Sequence, residues 1–144
     1  MKTDQKIRHS ASGYDLSPLP ETLYEERVRG LSTEEHHVLL SSGTEAPFCG
    51  GLLHEHGHGV FSCRLCELPL FRSDDKFDSG TGWPSFSGPI DSDHVTRIQD
   101  VSHGLIRTEI RCARCGSHLG HVFPDGPPPT KERHCVNSLA LRFG

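Results

Sequence analysis

The 144-residue chain contains no apolar run approaching the ~18 residues of a membrane span, which excludes a conventional transmembrane helix. Its first twenty residues lack the apolar stretch of a signal peptide and the arginine density of a transit peptide, so a cytoplasmic location is expected. Apolar residues are scarce, at 33%, and mean hydropathy is -0.47. With 15 glycines and 10 prolines, that composition argues against a helix bundle and for a loop-rich fold. Basic charge is short as well. Lysine and arginine number 15 against 19 acidic residues, for a net charge of -4, which speaks against a broad nucleic-acid-binding surface. A chain of this length still buries roughly 70% of its unfolded surface, enough for one core and too little for two.

What is present in quantity is sulfur. Six cysteines in a chain expected in a reducing compartment call for metal binding, catalysis or both. The pairs Cys63-x-x-Cys66 and Cys112-x-x-Cys115 each let one tight turn aim two thiols at a point. Together they supply the four thiolates of a closed, tetrahedral structural zinc site. Iron also accepts four thiolates. A thioredoxin-like redox pair fits less well, because such a pair is usually single and sits in a βαβ pattern that is absent here. The intervening segment, residues 67–111, is longer than in a simple zinc ribbon, so a sheet must lie between the knuckles, and a metal closing that loop helps to hold a chain poor in apolar residues.

Residues 1–16 read as a mobile N-terminal tail and residues 17–144 as a single domain. Pro20 suits a first helical turn, with Leu23, Tyr24, Arg27, Val28 and Leu31 on one stripe and Gly30 positioned to end the helix in a left-handed conformation. Ser32 and Glu35 form the pattern of a capping box for a second helix, which carries Val38, Leu39 and Leu40 inward and stops at Gly43. Beyond residue 44, candidate strands at 60–64, 94–99, 105–111 and 139–143 alternate with turn residues. The expected fold is mainly β: coiled antiparallel sheets behind a small helical N-terminus, with a four-cysteine zinc site. The alternating histidines His54, His56 and His58 form either a second metal site or, as favoured here, a solvated loop.

Two cysteines lie outside the knuckles, Cys49 and Cys135. Cys135 follows Arg133 and His134, cations that would favour its thiolate and make it a nucleophile; a buried inert cysteine is the plain alternative. Trp83, the only tryptophan, sits between glycine and proline in GTGWPSF (residues 80–86), a setting for a flat binding wall rather than a core. His118 and His121 follow the second knuckle, which would hold their imidazoles rigidly as proton donors.

Five segments carry a resemblance: GTEAPF (43–48), CELPLF (66–71), GTGWPSF (80–86), CGSHLGHVFPDGP (115–127) and RHCVNS (133–138). In this order, and over about residues 21–143, the chain resembles the methionine sulfoxide reductase B family. The resemblance implies a β-tent type fold and reduction of the R epimer of methionine sulfoxide, whether in peptides or proteins, to methionine. It implies Cys135 as nucleophile, with a sulfenic acid intermediate. Trp83 would receive the substrate methyl group, and His118, His121 and Asn137 would bind the sulfoxide oxygen or water, His121 donating the proton.

It further implies one structural zinc on Cys63, Cys66, Cys112 and Cys115, no organic cofactor, and thioredoxin as reductant. Many relatives carry a resolving cysteine where this chain has Thr81, which leaves Cys49 as the resolving thiol; direct attack by thioredoxin or a small thiol is the alternative. Position 49 is usually a small hydroxyl residue in relatives, position 134 an aromatic, and position 67 a glycine. The chain is expected to act as a monomer without nucleic-acid or membrane partners. A non-catalytic zinc scaffold that binds proteins is the rival reading; it would need the four knuckle cysteines but not Cys135, Trp83 or the histidine pair.

Overall fold

A computed structural model describes residues 9–144, the side chain of His103 excepted. Two short helices come first, α1 (Glu21–Arg29) and α2 (Thr33–Ser41). Pro20 caps α1 with its fixed φ, and Gly30 closes it with right-handed geometry (φ -81°), not the left-handed one expected. The capping box of α2 forms as its sequence predicts: Glu35 N–H donates to Ser32 Oγ at 3.1 Å, and Ser32 N–H to Glu35 Oε1 at 2.9 Å. At the other end of α2, Ser42 rather than Gly43 takes the left-handed position (φ 55°). Gly43 is required for a different reason. A Cβ there would lie 2.2 Å from the His37 ring.

Nine strands follow, paired antiparallel throughout: β1 (Val60–Cys63), β2 (Pro69–Arg72), β3 (Lys76–Phe77), β4 (Ser85–Phe86), β5 (Val95–Asp100), β6 (Arg107–Cys112), β7 (His118–Phe123), β8 (Arg133–Val136) and β9 (Leu141–Phe143). One sheet runs β2-β1-β9 and the other β3-β4-β8-β7-β6-β5. Aromatic rings join them: Phe86 of the large sheet stacks on Phe71 at 4.4 Å and meets Phe61 edge-on at 5.0 Å. Each of these fully buried rings contributes about 1.5–3 kcal/mol by leaving water. The four strands foreseen from sequence are present with ends shifted by one or two residues; Leu139 and Ala140 lie in a 3₁₀ turn before β9. No helix among the described residues is long and apolar enough to cross a membrane.

Of the segment expected as a mobile tail, residues 1–8 lie outside the described residues, and within 9–16 Ser10 and Leu16 are buried. Leu16 is in the core, and Ser10 Oγ is 2.9 Å from Nε2 of the buried His94.

The two knuckles share one backbone design. Glu67 N–H donates to Cys63 O and Cys63 N–H to Leu68 O; in the second knuckle Gly116 N–H donates to Cys112 O and Cys112 N–H to Ser117 O. The residue after each second cysteine is left-handed, Glu67 at φ 68° and Gly116 at φ 78°. Only glycine adopts that conformation without a Cβ penalty, about 1–2 kcal/mol for other residues. Glu67→Gly is therefore expected to stabilise the protein by about 1 kcal/mol and raise Tm by about 3 °C in a thermal melt. The partly exposed Arg27–Glu67 pair (3.6 Å) that it removes is worth less than this.

Candidate active site

One rung of cross-strand partners runs through the large sheet: Phe77, Ser85, Cys135, His121, Glu109 and Ile98, each directly opposite the next. Side chains in such a rung share a face, so Ser85, Cys135, His121 and Glu109 come together from four strands. Along β8 the alternation that puts Cys135 on this face also puts Arg133 there. Asn137 follows just beyond the strand. Gly120 is needed where β7 meets β8, since a Cβ there would lie 1.9 Å from Cys135 O.

A cavity of about 230 Å³ opens over this face, and Cys135, Trp83, His121, Asn137, Thr81 and Arg133 are among its lining residues. Trp83 Nε1–H donates to Glu45 O at 2.9 Å. The Asn137 amide accepts from Glu45 N–H at 2.9 Å and donates to Leu119 O at 3.0 Å. Glu45 thus orients two of the predicted site residues through its main chain, while its carboxylate accepts from Leu139 N–H at 2.9 Å. Glu45 went unassigned in the sequence reading. The only signal was its place in the GTEAPF segment.

The two histidines differ. His121 Nε2 lies 2.8 Å from Asp100 Oδ2, and Arg107 Nη2 lies 3.3 Å from the same oxygen. The His121 hydrogen bond, and then the Ser102 N–H, hold the Asp100 carboxyl well below the usual carboxylate range, so it is an anion at every working pH. His118 does not line the Cys135 cavity. It is buried, with Nδ1 2.7 Å from Glu109 Oε2, and its ring stands edge-on to His121 at 5.7 Å. A bulge in β7 makes this neighbourhood possible: Ile110 pairs with Gly120 but Arg111 with His118, so residues three apart fall on one side.

Around Cys135 the electrostatics depart from expectation. Burial pushes its thiol above the ordinary range; Arg133 and the Thr81 hydroxyl pull it down without offsetting burial, and Glu45 adds to the rise. His134 gives no help. Its ring faces the core on the other side of β8, against Phe71, and burial, reinforced by Arg97, drops it to about 4, so it is neutral at pH 7. The unfolded chain binds a proton at this histidine below about 6.5 and the folded chain only below about 4. Stability is therefore full above pH 6.5 and falls by about 3 kcal/mol as pH drops through that window. His134→Phe is expected to flatten this part of the profile, measured as Tm between pH 7 and pH 4.

Cys49 is exposed and lines a different cavity together with Glu45, His37 and Gly50. The Cys49 loop is less free than its glycines suggest, because a Cβ on Gly50 would lie 2.2 Å from Glu45 Oε2 and from Ser138 Oγ. His54, His56 and His58 lie outside any strand, as favoured, and border a cavity of about 370 Å³ that Trp83 also lines.

Cys63, Cys66, Cys112 and Cys115 converge, their sulfurs all within 4.8 Å of one another. They are the one group of three or more histidine, cysteine or carboxylate ligands found among the described residues. Four thiolates packed this closely repel one another, so they coexist only around a cation. Ser117 Oγ, 3.0 Å from Cys115 Sγ, offers a supporting hydrogen bond. The donor set fits a metal ion.

Fold and cavity together define a small, mainly β protein whose cavity-lining thiol stands apart from a cluster of metal-binding sulfurs. A family model described as the SelR domain matches residues 31–144. The chain is 58% identical over 134 residues to the peptide methionine sulfoxide reductase MsrB of Caulobacter vibrioides (strain NA1000 / CB15N), covering 93% of this chain and 84% of that one. It is 56% identical over 130 residues to the protein of the same name from Xylella fastidiosa (strain 9a5c), covering 90% and 84%. The chain belongs to the SelR-domain, methionine sulfoxide reductase B family.

Proposed function

We propose that this protein reduces the R epimer of methionine sulfoxide, in peptides and proteins, to methionine. The observation that carries the reading is the grouping of Cys135, His121, Trp83 and Asn137 around one cavity, in a chain of this family. Trp83 offers an apolar wall for the substrate methyl group. With His121 Nε2 engaged by Asp100, Nδ1 is the ring nitrogen left to pass a proton to the sulfoxide oxygen. The protonated sulfoxide sulfur is electrophilic. Cys135 attacks it as the thiolate and forms an S–S bond. The hydroxyl then shifts from the substrate sulfur to the Cys135 sulfur as that S–S bond breaks, its electron pair returns to the substrate sulfur, and methionine departs, leaving Cys135 as a sulfenic acid. A second thiol then forms a disulfide with Cys135 and water leaves. An external dithiol, thioredoxin in this reading, takes up the oxidising equivalents by exchange. His118 supports His121 by ring contact and the Glu109 bond rather than by touching substrate.

Cys63, Cys66, Cys112 and Cys115 would hold one zinc ion, which supplies structural cross-linking only. A cytoplasmic monomer working without organic cofactor, nucleic acid or membrane is consistent with the composition.

Cys49 is the resolving thiol in this reading. The bond to Cys135 requires Cα atoms within about 7 Å, and any swing of the loop toward Cys135 carries Gly50 out of its close packing beside Glu45 and Ser138. In Cys49→Ser, a single turnover should still release about one methionine per chain, thioredoxin-driven cycling should fall by about tenfold or more, and dithiothreitol should restore it. Unchanged thioredoxin cycling would remove Cys49 from the scheme.

The reaction itself is tested by incubating the zinc-loaded protein with each separated sulfoxide epimer of a methionine peptide and dithiothreitol. Methionine should form from the R epimer alone. Formation from neither epimer, or from the S epimer, overturns the reading.

A further inference from the structure

Three hydroxyls run from the main chain of Trp83 to the cavity that Cys135 lines. Ser85 Oγ–H donates to Trp83 O at 3.2 Å. Ser85 Oγ is 2.8 Å from Ser79 Oγ, and Ser79 Oγ is 2.8 Å from Thr81 Oγ1. Ser85 is fully buried and directly opposite Cys135 across β4 and β8, while Thr81 lines the cavity beside Cys135. A hydroxyl has one proton to donate, and this fixes the direction of the whole chain. Because Ser85 donates to the carbonyl, Ser79 must donate to Ser85 and Thr81 to Ser79. Thr81 then presents only lone pairs to Cys135, and a lone pair accepts from S–H but opposes S⁻; the Thr81 hydroxyl favours the thiolate only when it is turned to donate to sulfur.

We propose that Ser85, Ser79 and Thr81 form a reversible hydroxyl latch: anchored at Trp83 O, it holds Cys135 as the thiol at rest, and with its three donors reversed it stabilises the thiolate. In the reversed state Thr81 donates to the sulfur, Ser79 to Thr81 and Ser85 to Ser79. No proton changes oxygen; the thiol proton leaves to water in the cavity. One long bond to Trp83 O is given up, and one charge-assisted bond to sulfur is gained. Three charged or titratable groups also face the sulfur: Arg133 from its own strand, Glu45 from the loop after α2, and His121 from β7. The latch is distinct from all three, since its members carry no charge. It deepens the reading of Cys135 as nucleophile, but its test does not require sulfoxide reduction.

The test is the rate at which iodoacetamide alkylates Cys135 in the full, zinc-loaded chain, followed by mass mapping of the Cys135 peptide from pH 6 to pH 10. Thr81→Val removes the only latch donor that reaches sulfur, and alkylation at pH 7 should slow by about tenfold. Thr81→Ser keeps the donor and should stay within about twofold of the parent. Ser85→Ala and Ser79→Ala break the anchor to Trp83 O and free Thr81 to donate, so each should speed alkylation by about fivefold. A merely structural role would expose the thiol and speed alkylation in all of these variants, Thr81→Val included. Alkylation of Thr81→Val at the parental rate overturns the latch, as does alkylation of Ser79→Ala or Ser85→Ala at or below it. Ser79, only half-buried, keeps the test open if Ser85→Ala folds poorly.

Discussion

Cys112→Ser is expected to leave little folded protein and no bound metal. Cys112 closes β6, is 1% exposed, and its sulfur lies 3.4 Å from that of Cys66. A structural zinc on four thiolates contributes about 10–16 kcal/mol at neutral pH, comparable with or larger than the whole ~5–15 kcal/mol stability of a domain. Apolar burial cannot make up such a loss in a chain that is 33% apolar. Metal analysis by mass spectrometry, together with a thermal melt followed by near-ultraviolet circular dichroism, reads both losses. A variant that keeps one metal per chain and a cooperative melt would show that three sulfurs suffice, and the cluster would then be no closed structural site.

Cys135→Ser should reduce sulfoxide turnover on the order of 10⁴-fold or more while leaving metal content and Tm near those of the parent. The hydroxyl is not ionised at neutral pH and forms no sulfenic acid, so both halves of the proposed cycle stop. The substitution is nearly isosteric and lies more than a whole knuckle away from the metal cysteines in sequence, so folding is not its target. Steady-state methionine release with dithiothreitol as reductant measures the loss. Residual turnover within tenfold of the parent would move the nucleophile elsewhere, and Cys49 is the only other cysteine outside the metal cluster.

What the sequence made legible was chemistry fixed by short spacing. Two residues between thiols define a knuckle whatever surrounds them, and a serine three residues before a glutamate defines a capping box; both formed as read. The RHCVNS segment singled out Cys135 by its residue types, and the regular strand β8 sets Arg133 and Cys135 on one face. The short strands were not legible. β3 and β4 have two residues each, too few for any period, and exist because β8 and the phenylalanine core hold them.

Long-range effects were equally hidden. The bulge that sets His118 beside His121 depends on how β6 pairs with β7, and burial of Cys135 and His134 depends on the sheet around them. Charges adjacent in sequence therefore misled: His134 faces away from Cys135 and is neutral, and the thiol is raised rather than lowered. Glu45 joins Trp83 and Asn137 through main-chain groups, which residue identity does not reveal.

In the proposed reaction Cys135 takes the oxygen of an R-sulfoxide bound in the Trp83–His121 cavity. This transfer is tested most directly by mixing reductant-free, zinc-loaded Cys49→Ser protein with excess R-epimer peptide in the presence of dimedone, then counting methionine released and mapping the modified cysteine. About one methionine per chain and a dimedone adduct on Cys135 alone are expected. Methionine released without modification of Cys135, or the adduct on another cysteine, would contradict the transfer.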